Sequence, residues 1–402
     1  MAQQINPPRG MRDFLPVEKA TRDELLGKIL DSYRSFGFQE IETPALENIE
    51  RLTSSDGGDN ESLAFRVLKR GEELEQALGQ SADQLSDLGL RYDLTVPLTR
   101  FYATNQSKLP KVLKAIQTGP VWRAERPQKG RYRQFVQCDI DIIGDESSLS
   151  EIEILNASLH ALSSLGIKTA TIRVNHRELL SKSIQELGVA AKDHSRAMIT
   201  IDKLDKIGID GVCLELKERF NDEVAAKAKT WLESLAGNQV VPEQLSAVFA
   251  GLEAIHPGKL RFDPTLVRGM GYYTGIIFEI EHPESGSSIG GGGRYDGMVG
   301  KWLGEDVAAV GISLGFERVA DLVDAKLSET KNLVLVFEES DLREALATQA
   351  QAIAAGYQVR LEPKPKKLNT LLDSLKLQGF SSFTSLEKPA DGFKGLVIKP
   401  IA

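Results

Sequence analysis

Cysteine and histidine are scarce in this chain of 402 residues, with two of the first and five of the second. Cys138 and Cys213 cannot build a disulfide framework, and with the scattered histidines they offer no zinc-like spacing, so both are expected to be structural thiols. No run approaches the roughly 20 apolar residues of a membrane span. The opening MAQQINPPRG also lacks the basic-then-apolar order of a signal peptide. These absences predict a cytoplasmic protein. Positive charge is in deficit too: the net charge of -8 argues against broad, nonspecific affinity for nucleic acid and leaves room only for a local basic patch. The deficit is uneven, because the residues from Lys331 onward carry 10 basic and 8 acidic side chains, a balance of +2 that leaves -10 for the first 330. At 41% hydrophobic and 26% charged, the chain is an ordinary globular sequence long enough for two or three cores.

The most informative stretch is residues 121–144, VWRAERPQKGRYRQFVQCDIDIIG. It reads as two antiparallel strands, VWRAE and RQFVQCDIDIIG, around a loop with Pro127, Lys129, Gly130 and Arg131. Alternation places Val136, Cys138, Ile140 and Ile142 on a core face, and Phe135, Gln137, Asp139 and Asp141 on the other. With Arg123 and Glu125 on one face of the first strand, the second face reads as the floor of a polar pocket. A floor bearing both arginine and aspartate suits a ligand that is anionic at one end and cationic at the other. For an isolated hairpin of this kind the preferred reading is a solvated ladder with surface ion pairs.

Other segments supply further polar groups. Residues 18–36 show helical spacing at Leu25, Leu26, Ile29, Leu30 and Tyr33, and Gly37 then passes the chain to FQEIETPALE, a strand interrupted by Pro44. SSDGGD at 54–59 is a loop, and 71–87 a polar, partly helical excursion. In RYDLTVP, Asp93 and Thr95 share a face of an extended segment, although either could simply cap the helix that follows. In LVRGMGYYTGIIFEI, Gly269 and Gly271 permit a backbone excursion beside Arg268 and the adjacent Tyr272 and Tyr273. IGGGGRYDGMVG lets backbone approach a ligand closely, and VAAVGISLGFERVADLV runs from strand to helix with Gly315, Glu317 and Arg318 at the join, where a helix start favours anions. His176 ends a strand and is read as structural. Residues 178–256 are mostly charged helices. After a polar linker at 325–331, the remainder alternates strand and helix.

The hairpin run ERPQKGRYRQF is similar to motif 2 of the class II aminoacyl-tRNA synthetases in the form seen in histidyl-tRNA synthetases. The helix–strand unit over 18–47 resembles motif 1, LVRGMGYY and IGGGGRYDG the two histidine-specific motifs, and the strand-to-helix join motif 3. The resemblance runs from RGMRDFLP to GLVIKP and departs at Gly271, where the family carries an aspartate. It implies an α+β fold: an antiparallel class II sheet flanked by helices, with a helical insertion and a small C-terminal α/β domain. The implied domains are 1–177 and 257–325 (catalytic), 178–256 (helical insertion, against the tRNA acceptor stem) and 331–402 (a shortened, anticodon-binding-like domain).

The implied activity is ATP-dependent activation of L-histidine and its transfer to the 3′ end of tRNA(His), with ATP and Mg2+ and no direct protein ligand to the metal. The implied catalytic residues are Arg123, Arg268 and Arg318. Asp93, Thr95, Arg123, Gln137, Asp141, Arg268, Tyr272 and Tyr273 would bind histidine, and Arg123, Glu125, Arg131 and Arg318 would bind ATP. A homodimer through residues 18–47 is also implied. The alternative within the same fold is the synthetase-like regulatory subunit of ATP phosphoribosyltransferase, a histidine sensor that typically erodes the ATP-binding arginines; in this sequence those arginines stand.

Overall fold

Two strands, Leu113–Trp122 and Gln134–Ile143, form the centre of the fold, paired antiparallel from Leu113 against Ile143 to Trp122 against Gln134. The computed structural model describes residues 5–53, 63–128, 130–235, 237, 239–268, 271–323, 331–386 and 392–401. The expected loop at 54–59, Lys129, Gly269 and the linker residues 325–330 lie outside the described residues. Cys138, Ile140 and Ile142 are fully buried, as the alternation requires, each contributing about 1.5–3 kcal/mol for the aliphatic side chains. Against this face packs the helix Leu149–Ser164, with Ile154, Leu155, Ala157, Ala161 and Leu162 buried.

The sheet has eight strands, in the order Gln39–Glu40, Leu113–Trp122, Gln134–Ile143, Ala309–Gly315, Gly290–Arg294, Ile276–Glu281, Thr171–His176 and Leu260–Phe262. Its inner pairs are antiparallel and its two outermost pairs parallel. The four consecutive glycines at 290–293 therefore lie in an inner strand, with a neighbour on each side.

Three local expectations resolve differently. The strand expected over FQEIETPALE splits at Pro44, which cannot donate to a ladder: Gln39–Glu40 joins the large sheet, while Leu46–Asn48 joins a three-stranded sheet with Ser86–Leu90 and Arg66–Leu68. The first hairpin strand begins at Leu113 and ends at Trp122, so Arg123 and Glu125 lie in the irregular stretch beyond it. Thr95 opens the helix Thr95–Asn105 rather than sitting in an extended segment, because the Asp93 carboxylate accepts the Val96 N–H at 3.0 Å.

Among the described residues the expected helical stretch holds the α-helices Arg177–Glu186, His194–Ile201, Leu204–Arg219, Asp222–Ser234 and Glu243–Glu253. The first four share a hydrophobic cluster of their own that includes Leu180, Ile184, Met198, Val212, Leu216 and Leu232. His176 accepts the Glu178 N–H through Nδ1 at 3.3 Å and so caps the first of these helices. Contacts divide the chain into two units, Met1–Arg12 with Leu26–Val323, and Asp13–Leu25 with Asp324–Ala402. In the second, strands Gln358–Pro363, Asn332–Phe337, Ser382–Ser385 and Lys399–Pro400 form a sheet whose first three members are mutually parallel. Val334, Val336, Leu372 and Leu375 cluster in this unit, and Leu333, Ala352 and Phe393 form a second cluster. No helix among the described residues is long and apolar enough to cross a membrane. Both cysteines are free thiols, Cys138 buried and Cys213 half-buried.

Candidate active site

A cleft of about 940 Å³ opens over the polar face of the central hairpin. Phe135, Gln137, Asp139 and Asp141 all line it, as the alternation predicts, and Arg123, Glu125 and Arg131 reach it from the stretch that joins the two strands. Asp93 and Thr95 enter from the start of their helix, Arg268, Tyr272 and Tyr273 from the segment before Ile276–Glu281, and Arg318 from the helix Phe316–Asp321. Every site residue expected from the sequence thus borders one cleft.

Carboxyl groups dominate one part of it. Asp93 is buried; its Oδ1 accepts the Val96 N–H, while Oδ2 has no hydrogen-bond partner. Burial pushes its pKa up to about 6, against the Val96 N–H and the Arg123 charge, which favour ionisation. Asp141 accepts the Tyr295 O–H at 2.6 Å, and burial raises its pKa to about 7. Asp139 sits between Gln137 and Asp141 on the same face, buried, with Oδ1 unpartnered; burial, and after it the Asp141 charge, hold its pKa well above the carboxylate range. Gln137 donates from Nε2 to Ser313 Oγ at 2.6 Å, which leaves its Oε1 without a partner. Tyr272 and Tyr273 stack edge to face with ring centres 4.9 Å apart, and burial keeps both hydroxyls protonated as donors.

Guanidinium groups dominate the rest. Arg123 donates from Nε to the Tyr92 carbonyl at 2.9 Å and lies 5.1 Å from the centre of the Phe135 ring. Arg318 donates from Nη1 to the Ser288 carbonyl at 2.6 Å and from Nε to the Gly130 carbonyl at 3.3 Å. Its pKa is lowered, by burial first and then by the positive charges of Arg131, Arg123 and Arg268. Arg131 pairs with Glu125 at 3.3 Å. Arg268 donates to Glu279 at 2.8 Å and leaves Nε unpartnered; burial opposes its charge, but Tyr273 and Glu279 outweigh that and raise its pKa. Arg123 interacts electrostatically with both Asp93 and Arg318 and so is coupled to the carboxyl and the guanidinium groups alike. An arginine kept among three other cations, all of which act against its charge, suits a place where a polyanion is to be held.

The glycine run explains how these side chains fit. A Cβ on Gly291 would come within 2.7 Å of the Arg268 guanidinium, and one on Gly293 within 2.8 Å of the Tyr273 ring. The space the glycines leave is thus filled by the site's own residues. Gly311 does the same for Asp141, whose Oδ1 would overlap any Cβ there.

Sequence reasoning missed several participants. Asp139 was placed on the polar face without a role, Tyr295 and Ser313 had no signal beyond their neighbours, and Glu279 became significant only through strand pairing, opposite Arg173. Glu317 looked like part of an anion-binding join, but it accepts from Arg12 Nη2 at 2.8 Å and from the Val136 N–H at 3.2 Å, tying its helix to the hairpin. Among the described residues there is no group of three or more His, Cys, Asp or Glu side chains that could hold a metal ion.

Comparison with known proteins gives this arrangement a family. The model of the histidyl-tRNA synthetase family matches residues 10–319. A histidine–tRNA ligase of Leifsonia xyli subsp. xyli is 48% identical over 430 aligned positions, which span all of this chain and 99% of the relative. A probable histidine–tRNA ligase of Tropheryma whipplei is 42% identical, spanning 99% of each. Among solved structures, the histidyl-tRNA synthetase from Nostoc sp. PCC 7120 superposes with a TM-score of 0.78 at 25% identity, covering 100% of this chain and 97% of that one. An ATP phosphoribosyltransferase regulatory subunit/histidyl-tRNA synthetase from Bacillus halodurans superposes with a TM-score of 0.76 at 20% identity over 96% and 98% of the two chains, a likeness of fold alone. On the extent of the family match and the near-complete alignment with these relatives, the chain belongs to the histidyl-tRNA synthetase family.

Proposed function

We propose that this protein is a histidine–tRNA ligase that activates L-histidine with ATP and transfers it to tRNA(His). The observation that carries the reading is the polarity of this cleft: buried carboxyls with unmet acceptors, a group of arginines in which Arg318 feels the charge of the other three, and Arg123 coupled to both. Histidine enters with its ammonium and imidazole toward Asp93, Thr95, Gln137, Asp141 and Tyr273, with Tyr272 packed against Tyr273. Its carboxylate then faces Arg123 and Arg268, where the α-phosphate of ATP meets it. Arg318 and Arg131 take the distal phosphates, and Glu125 lies toward the adenine.

In the first step a carboxylate oxygen forms a bond to the α-phosphorus, the bond to the β-phosphate bridging oxygen breaks, and pyrophosphate leaves. In the second, a terminal ribose hydroxyl of the tRNA takes the histidyl group and AMP leaves. No side chain acts as a nucleophile. Arg123 and Arg268 stabilise the charge that builds on the α-phosphate, and the fixed cleft supplies orientation. Magnesium enters as part of the ATP substrate, carried by its phosphates. The C-terminal unit is assigned to tRNA contact, residues 18–47 to a homodimer interface, and the protein to the cytoplasm; solution mass and a tRNA-binding assay test the first two.

Histidine-dependent exchange of labelled pyrophosphate into ATP tests the core of the reading. The wild type is expected to exchange, and Arg268→Ala to lose about 10²–10³-fold of that rate. Histidine binding without any exchange would favour a sensor of the regulatory-subunit type instead.

A further inference from the structure

Three acceptor atoms in the carboxyl part of the cleft are buried and have no partner: Asp93 Oδ2, Gln137 Oε1 and Asp139 Oδ1. Unmet buried acceptors are costly, and three in one cleft call for a ligand that brings donors. An α-ammonium group brings three N–H donors and a fixed positive charge. We infer that Asp139 is a recognition residue for the α-ammonium of the amino-acid substrate, completing a three-acceptor seat with Asp93 and Gln137. The inference rests on the ligase reading above and extends it to a residue given no role there.

Several observations separate this from a merely structural aspartate. Asp139 is 4% exposed and has no ion pair among the described residues, so no cation of the protein touches its carboxyl and a charge there waits on an incoming one. The charged groups around it are Asp141 on its own strand, Asp93 before the next helix and Arg123 beyond the paired strand, while its cross-strand partner Ser313 contributes a hydroxyl. Arg91 and Tyr33 also feel its charge. The neighbouring carboxyls are already committed: Asp141 to the Tyr295 hydroxyl, and one oxygen of Asp93 to the Val96 N–H. An imidazole is served by Asp141, whose direction Tyr295 fixes. The ammonium is left with the three unpartnered oxygens, and Asp139 is the acidic one with no backbone duty.

The test is calorimetric binding of histidine and of imidazolepropionate, the same skeleton without its α-amino group, to the wild type and to Asp139→Asn. Asp139→Asn is expected to weaken histidine roughly ten- to hundredfold while leaving imidazolepropionate and ATP unchanged. Asp139→Glu is expected to recover part of the loss. An equal loss for both ligands, or no loss for histidine, overturns the role of Asp139 and leaves the ligase reading standing. A wild type that binds no histidine overturns both. If Asp139→Asn lacks a cooperative thermal transition, Asp139→Ser carries the same comparison.

Discussion

The two parts of the cleft are built on opposite plans. The carboxyl part rests mostly on inner strands: Gln137, Asp139 and Asp141 share one face of Gln134–Ile143, with Gly311 and Ser313 opposite, their positions fixed by sheet register, and Asp93 joins them from a helix start. The arginine part is assembled from strand ends, a loop and a helix start; Arg123 and Arg318 are held through backbone carbonyls at Tyr92, Ser288 and Gly130, and Arg131 and Arg268 through the carboxylates of Glu125 and Glu279. A small rigid substrate with few polar groups is best selected by a desolvated, prefixed seat. A flexible polyphosphate is better met by cations that can adjust.

The sharpest way to break this contrast is to disturb the rigid part through its backbone. Gly311→Ala would force Asp141 away from Tyr295, with a stability loss of about 1–3 kcal/mol and the largest expected fall in histidine affinity. Thermal unfolding together with histidine titration checks both, and an unchanged affinity would mean that the carboxyl part is adaptable after all. A smaller effect is expected at the other part. Arg318→Ala should raise the KM for ATP roughly tenfold, with histidine affinity intact and stability no lower than wild type, because repulsion from Arg131 and Arg123 is relieved. A drop in histidine affinity equal to that for ATP would erase the division of labour.

The smallest effect is on the pH dependence of the ligand-free protein. The pKa of Asp141 is raised from 3.8 to about 7, so between those values the folded state holds more protons than the unfolded one. Its contribution to stability is therefore greatest at low pH and is lost as pH rises toward 7. Asp141→Asn should flatten this slope of melting temperature between pH 5 and 8, and saturating histidine should flatten it in the wild type. An identical slope in wild type and variant would place the titration elsewhere.

The carboxyl part was largely legible in the sequence, because strand alternation is a period-two code and QCDID spells it without interruption. What alternation cannot say is which side chains keep a free acceptor; that depends on Tyr295 and Ser313, which reach the site from other strands or their ends. Of the arginine part, Arg123 was legible from the hairpin and Arg318 from its helix start, but that Arg123, Arg131, Arg268 and Arg318 act together came only from resemblance to a family, since they share no periodicity. Pro44 was read correctly as an interruption, but a single proline does not reveal that the chain changes sheets there. Asp93 shows the limit of choosing between two readings, because one carboxyl oxygen starts a helix while the other stays without a partner and the residue lines the cleft.

The strand Gly290–Arg294 also bears on drug resistance. At each of its four glycines an added Cβ would lie within 3.0 Å of a neighbouring atom, whether the Ser313 or Ile276 carbonyl, the Gly311 backbone, or the side chains of Arg268 and Tyr273. Any substitution of one of these glycines adds at least that carbon. An inhibitor whose contacts are drawn from the backbone of this strand would therefore face a surface that no substitution of these four glycines can alter without displacing its neighbours.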